Sequence, residues 1–349
     1  MERYAEILRH RLGITPTPLL SLPELTIAQG LQLFVKDEGQ NETGSFKPRV
    51  MAPLVDQVDK ENKTLTTTVT TGNQGIAIAY AAKQLGIQAK IFTPLSAPGY
   101  KIQAMKAYGA EVESKGDYHF AFEQAQDFAT NNPTCYLVEH GGICQIMSYS
   151  TLALELLVDM RTRDIEPHQT CVITPVGAGG LAAGLFHYLH GAGVTTVAVQ
   201  SHHTDTLMAS VRAGYARPDI PALGILEDGI NTGGLEEPAF ECLRNTFDAI
   251  VVVDSGDPEA GQAPICAALE YYGNAGILSE GAGMLPWLAV VQSRALTEFL
   301  RMRHITSTIL INTGRNLDPA VYLASRRLAP EIPTPAPVDP SRVRFAAFW

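Results

Sequence analysis

In Thr170-Cys171-Val172-Ile173-Thr174-Pro175-Val176-Gly177-Ala178-Gly179-Gly180-Leu181 an apolar run meets a cluster of glycines. The first half is a short β-branched apolar run, which predicts a strand; a helix begins near Leu181. Between them lies a turn of small residues that lets the backbone approach a ligand closely. Successive amides in such a turn form a nest for an anion. The turn lacks the Gly-Lys-Ser/Thr ending of a nucleoside-triphosphate loop and misses the Gly-x-Gly-x-x-Gly spacing of a dinucleotide site. It suits a monophosphate better, and its plain alternative is a tight strand–helix turn.

The same alternation extends in both directions. Further strands are expected over 31–36, 89–93, 195–200, 249–253 and 307–312. Helices are expected over 76–85, 100–108, 119–129, 151–160, 181–190, 258–272 and 284–302. Strands alternating with helices imply βαβ units and parallel sheets covered on both faces. The fold class is therefore α/β, with two lobes, each an open, mostly parallel sheet flanked by helices. Residues 59–141 are expected to form the small lobe, and 1–58 with 142–328 the large one. Residues 329–349 read as a Pro-rich tail with five prolines between Ala329 and Pro340, and its aromatics Phe345, Phe348 and Trp349 either pack on the body or a second subunit or end a partly ordered terminus.

Composition narrows the function. The chain has 349 residues, 46% hydrophobic and 18% charged, with a net charge of −10. That acidity disfavours nucleic acid or an anionic membrane as a partner. No apolar run approaches the roughly 20 residues of a membrane span, and Met1-Glu2-Arg3-Tyr4 does not open a signal peptide. Cys135, Cys144, Cys171, Cys242 and Cys266 are widely spaced and odd in number, so they read as reduced thiols of a cytoplasmic protein. His202-His203-x-Asp205 matches no standard metal spacing and is expected in an exposed loop, so no metal site is assigned.

Three further segments carry chemistry. In Asn41-Glu42-Thr43-Gly44-Ser45-Phe46-Lys47 a lysine follows an aromatic residue, and Pro48 suits the first turn of a helix. An amine so placed can form an imine with an aldehyde, while the ring covers a flat cofactor. Thr70-Thr71-Gly72-Asn73-Gln74-Gly75 precedes an apolar helix and offers hydroxyls and amides to a carboxylate. Its plain alternative is a glycine turn with a threonine cap. Ile311-Asn312-Thr313-Gly314-Arg315-Asn316 ends a strand, where open α/β sheets present ligand groups. A threonine hydroxyl facing a heterocyclic nitrogen would not keep that nitrogen protonated, so loss of a β-substituent becomes competitive with transamination and the chemistry leans toward elimination or replacement.

In this order and spacing, the four segments resemble the fold type II pyridoxal-phosphate enzymes, the tryptophan synthase β-subunit superfamily. The likeness covers roughly residues 14–320. Thr15-Pro16-Thr17-Pro18-Leu19 resembles that family's entry segment, and Lys36-Asp37-Glu38-Gly39 is similar to threonine synthase. Asp228-Gly229-Ile230 and Ser279-Glu280-Gly281-Ala282-Gly283 are similar to the dehydratases. The resemblance implies pyridoxal 5′-phosphate in the cleft between the lobes. Lys47 would be the Schiff-base lysine, with Phe46 over the ring and Asn73 at the phenolic oxygen. Gly177, Ala178, Gly179, Gly180 and Leu181 would hold the phosphate, Gly229 would border the cofactor, and Thr313 would face the ring nitrogen. Thr70, Thr71, Gly72 and Gln74 would receive the substrate carboxylate. The sequence departs from the family in having threonines for serines in that loop, Ala178 within the phosphate run, Pro48 after the lysine, and Gln200 where metal-stimulated relatives carry glutamate.

The expected activity is β-elimination of the dehydratase or ammonia-lyase type on serine, threonine or a similar β-substituted amino acid. The alternatives are β- or γ-replacement, as in threonine synthase or cysteine synthase, and a catalytically silent ligand-binding relative. A phosphorylated substrate would need further cations, for which Arg49, Lys101 and Arg315 are the candidates; Glu280 is a candidate acid beside the cofactor. A homodimer is expected, and no separate regulatory domain.

Overall fold

The structure, a computed structural model, describes residues 2–22, 30–138, 142–221, 223–328 and 338–348. In chain order the elements are α1 (Glu2–Leu12), β1 (Leu19–Ser21), β2 (Gln32–Asp37), α2 (Ala52–Glu61), β3 (Leu65–Val69), α3 (Asn73–Leu85), β4 (Gln88–Thr93), α4 (Gly99–Ala107), β5 (Glu111–Ser114), α5 (Tyr118–Asn131), β6 (Cys135–Leu137) and α6 (Ile143–Thr162). There follow β7 (Thr170–Pro175), α7 (Gly180–Gly191), β8 (Thr195–Ser201), α8 (Thr206–Ala213), α9 (Glu237–Leu243), β9 (Ala249–Val253), α10 (Ala263–Asn274), α11 (Gly281–Gln292), α12 (Arg294–Met302), β10 (Ser307–Asn312), α13 (Pro319–Leu328) and β11 (Arg344–Ala347).

The chain divides into two compact units, Met1–Pro16 with Asn41–Thr151, and Thr17–Gln40 with Leu152–Trp349. The first contains a parallel four-stranded sheet in the order β5-β4-β3-β6. Val69 and Phe92 on its strands pack against Ala121 and Ala125 of α5. This unit is larger than the small lobe expected from sequence: it also takes in 1–16, 41–58 and 142–151. The reason is packing, since α1 lies against α2 and α3, and the turn at Lys47–Met51 lies against α3.

The second unit contains a seven-stranded sheet, β1-β2-β10-β7-β8-β9-β11. Its five inner strands run parallel, and β1 and β11 close the two edges antiparallel. Every residue of β7, β9 and β10 is buried, and their central residues, 171–173, 250–252 and 309–311, are apolar on both faces rather than alternating. Val35, Ile173, Val197, Val251 and Leu310 share one core with Leu285, Leu288 and Ala289 of α11. Burial of each such aliphatic side chain contributes about 2 kcal/mol.

Three expectations change. The helix expected over 284–302 is two helices, because Ser293 leaves helical geometry and its Oγ accepts from the Leu296 amide at 3.1 Å. The C-terminal stretch is not a free tail throughout: β11 pairs with β9, with Phe345 against Phe299 and Phe348 against Phe247. Trp349 and residues 329–337 lie outside the described residues. Finally, α6 is long and apolar enough by composition to cross a membrane, but half of its apolar window is buried in the protein. Its Glu155 and Asp159 lie 3.2 and 2.8 Å from the fully buried Lys36 ammonium, as in a core helix.

Candidate active site

In the first unit, β3 delivers the chain to Thr70, and the turn Thr70–Gly72 leads into α3 at Asn73. The Thr70 hydroxyl accepts from the Gly72 amide at 3.1 Å, which shapes the turn. Thr70 and Gln74 are buried, Asn73 is half-buried and Thr71 is exposed. The Gln74 amide nitrogen is buried without a hydrogen-bond partner at the start of α3. A Cβ at Gly72 would stand 2.8 Å from Lys101 Cδ and 3.0 Å from its Nζ, so a side chain there would displace the end of the lysine. Lys101 is itself buried, so a cation lies against the loop expected to take a carboxylate.

Lys47 opens a short helical turn with Pro48 behind it, and its side chain is half-buried. Its Nζ donates to the Tyr149 hydroxyl at 3.5 Å and lies 4.8 Å from the centre of the Phe46 ring. Phe46 and Tyr149 have ring centres 5.2 Å apart. Burial pushes the Tyr149 phenol well above its ordinary pKa, so it stays protonated. Arg49 is not a surface residue: it is 1% exposed, and its Nη1 donates to Thr151 at 3.4 Å.

In the second unit, β2, β10 and β7 are neighbours, and their carboxyl ends carry Asp37–Gly39, Thr313 and Gly177–Leu181. The Gly177 carbonyl accepts from the Thr206 hydroxyl at 2.9 Å, and that of Ala178 from the Glu236 amide at 3.1 Å. In a planar trans peptide the next amide points the opposite way, so those of Ala178 and Gly179 face away from these partners. Gly179 has φ +93°, and a Cβ at Gly177 would meet Ile230 Cα at 2.9 Å. One residue before Ile230, Gly229 lies beside Glu280, whose Oε1 is 3.2 Å from a Cβ built there. The Glu280 amide donates to the Gly314 carbonyl at 2.8 Å, next to Thr313. Consecutive contacts thus join the glycine turn, Gly229 and Thr313.

Each unit by itself carries features that fit a part of pyridoxal phosphate. A side-chain-poor run of amides opens a helix, and the hydroxyl of Thr313, 5% exposed, has no hydrogen-bond partner. An aromatic ring lies beside a half-buried lysine amine. Residues 10–301 match the model of the pyridoxal-phosphate dependent enzyme family. The chain belongs to that family.

Its cofactor is accordingly pyridoxal 5′-phosphate, and its fold is that of the fold type II enzymes. Over 310 residues it is 26% identical to the biosynthetic L-threonine dehydratase of Pasteurella multocida, covering 86% of this chain and 56% of that protein. Against the catabolic L-threonine dehydratase of Staphylococcus aureus it is 27% identical over 314 residues, covering 87% and 85%. The T.th. threonine deaminase structure superposes with a TM-score of 0.75 at 28% identity, covering 91% of this chain and 98% of that one. Maize serine racemase shares the fold, with a TM-score of 0.77 at 21% identity, covering 93% and 96%. The chain spans little more than half the length of the Pasteurella relative.

The remaining candidates of this family member have other partners. His202 and His203 are not in an exposed loop: both are partly buried, with ring centres 3.8 Å apart, and His203 Nε2 lies 2.7 Å from the Gly256 carbonyl. Asp205 pairs with Arg344 at 2.8 Å. Gln200 donates to the Val176 carbonyl and the Thr206 hydroxyl at 3.0 and 2.8 Å, and accepts from the Met208 amide at 3.0 Å. Among the described residues, no three His, Cys, Asp or Glu side chains gather as a metal site would require. Arg315 is exposed. Tyr149 is the residue the sequence did not reveal: the expected helix began two positions after it, and nothing in Ser148-Tyr149-Ser150 marks a functional group.

Proposed function

We propose that this enzyme is a lyase that eliminates the β-substituent of serine, threonine or a similar amino acid, releasing a 2-oxo acid and ammonia. Bound pyridoxal phosphate supplies an electron sink for the pair left when the Cα proton departs. Lys47 holds the cofactor through its side-chain nitrogen and takes the Cα proton. Phe46 covers the ring, Asn73 donates to the phenolic oxygen, and the amides of Gly177–Leu181 hold the phosphate. The missing side chain of Gly229 leaves room at the cofactor. Thr70, Thr71, Gly72 and Gln74 orient the substrate carboxylate.

One observation carries the reading: the buried, unpartnered hydroxyl of Thr313 at the end of β10. A neutral group facing the ring nitrogen leaves the pyridine unprotonated, so the electron pair stays near Cα and expels the β-substituent. The threonine dehydratases to which the chain is similar support the same choice. The test is to mix holoenzyme with a panel of β-substituted amino acids and assay 2-oxo acid and ammonia together. Equimolar release supports elimination; no release from any member, with cofactor bound, refutes it.

A second reading, replacement on a substrate with an additional anion, draws on Lys101 buried against Gly72. Product that forms only after a thiol or amine is added would favour it. A cytoplasmic homodimer belongs to the same proposal, supported by five free cysteines and by exposed Ile143 and Met147 on one face of α6.

A further inference from the structure

Tyr149 is 4% exposed, and its hydroxyl accepts from Lys47 Nζ at 3.5 Å. Its ring and that of Phe46 border the same nitrogen, with centres 5.9 and 4.8 Å away. Two residues further along α6, the Thr151 hydroxyl accepts from Arg49 at 3.4 Å and donates to the Ser148 carbonyl at 2.8 Å. The helix therefore grips Lys47-Pro48-Arg49 at two points, and the proline restrains the backbone between them.

We propose that Tyr149 is a positioning residue that holds the Lys47 amine where it exchanges the cofactor and receives the substrate proton. The proposal rests on the reading of Lys47 as the cofactor lysine. A phenol both accepts and donates a hydrogen bond. It can therefore accept from an ammonium and donate to a free amine, keeping one nitrogen position through both states. The aromatic faces attract the charged nitrogen but do not fix its direction. A phenol held protonated by burial is too weak an acid to supply the proton itself, so its role is to orient.

The test compares holoenzymes of Tyr149→Phe and Tyr149→Gln with the parent. Tyr149→Phe keeps the ring and loses one oxygen; kcat is expected to fall about tenfold while KM stays within about twofold. The pH midpoint of the visible band of lysine-bound cofactor should move down, because accepting from Nζ–H favours the protonated nitrogen. Arg49, the other buried charge on this turn, is unchanged in all three proteins. Tyr149→Gln restores both an acceptor and a donor and should recover most of kcat. A Tyr149→Phe enzyme matching the parent in kcat and band midpoint overturns the proposal, even with cofactor on Lys47. Cofactor fixed by borohydride on any other lysine overturns it together with the reading beneath it.

Discussion

The side-chain amide of Asn312 donates to Asp37 Oδ1 at 2.8 Å, tying the carboxyl end of β10 to that of β2. Asn312 also donates to the Leu278 carbonyl at 2.9 Å and accepts from the Ser279 hydroxyl at 2.7 Å. Both Asn312 and Asp37 are fully buried, and Thr313 is the next residue. This small network sets where Thr313 leaves the sheet. Asn312→Ala removes three buried hydrogen bonds, while Asp37 Oδ1 still accepts from the Gly39 amide and the Ser279 hydroxyl still donates to the Glu280 carbonyl, and should cost about 3 kcal/mol of stability. The check is a lower urea midpoint with reduced cofactor occupancy. Asn312→Asp should be worse, since it sets a carboxylate against that of Asp37.

Gly177→Ala tests the glycine turn. The new methyl would stand 2.9 and 3.0 Å from the Ile230 Cα and carbonyl oxygen, and backbone cannot step aside as a flexible side chain can. Cofactor affinity should fall at least about tenfold, the size of a typical overpacking cost. Ala178→Gly, in the same turn, should leave affinity within about twofold. Equilibrium dialysis of pyridoxal phosphate measures both.

The contrast between these two positions shows what the sequence discloses. Strand cores such as Ile173 and Ile309 declare themselves by composition, because a strand buried on both faces must be apolar. The glycine turn and the Lys47 segment are legible because the chemistry proposed for them needs unusual local residues. Contacts between distant segments leave no such trace: the pairing of Asn312 with Asp37, or of Lys47 with Tyr149, follows from topology. The edge strand Arg344–Ala347 is hidden for a similar reason, since only its pairing with β9 makes it a strand. The wider boundary of the first unit follows from α1 and the Lys47 turn packing on α3, which periodicity alone cannot report.

His202 gives stability a pH dependence. Burial, then the neighbouring His203, and also Arg342, press its pKa down to about 4 from 6.5, against an upward pull from Asp254 at 3.7 Å. Between those values the unfolded chain binds a proton that the folded chain does not. Stability should therefore fall as pH drops through this window and be fully present above it. His202→Gln should flatten the slope of urea midpoint against pH between 6.5 and 4; an unchanged slope would remove His202 as its source.

The cysteines separate by burial. Burial pushes the Cys135 and Cys266 thiols up to about 11, while Cys144 is exposed. Since the thiolate is the nucleophile, iodoacetamide at neutral pH should label Cys144 first and leave Cys135 and Cys266 unmodified until the protein unfolds. Peptide mass spectrometry over a labelling time course reads the order.

Thr313 offers a way to change the outcome of the reaction rather than its rate alone. Its hydroxyl is buried and unpartnered, so Thr313→Val keeps the shape while removing the group proposed to meet the ring nitrogen. Cofactor affinity should drop about fivefold, with elimination retained, because neither side chain protonates the pyridine. Thr313→Asp reverses the electrostatics: a carboxylate there holds the nitrogen protonated and draws the electron pair away from Cα. Elimination should slow, and transamination should leave substrate nitrogen on the cofactor. The ratio of ammonia to 2-oxo acid would then fall below one in a single-turnover assay. A Thr313→Asp enzyme that keeps the ratio at one and the parent's kcat would show that the group at this position does not control the fate of the electron pair.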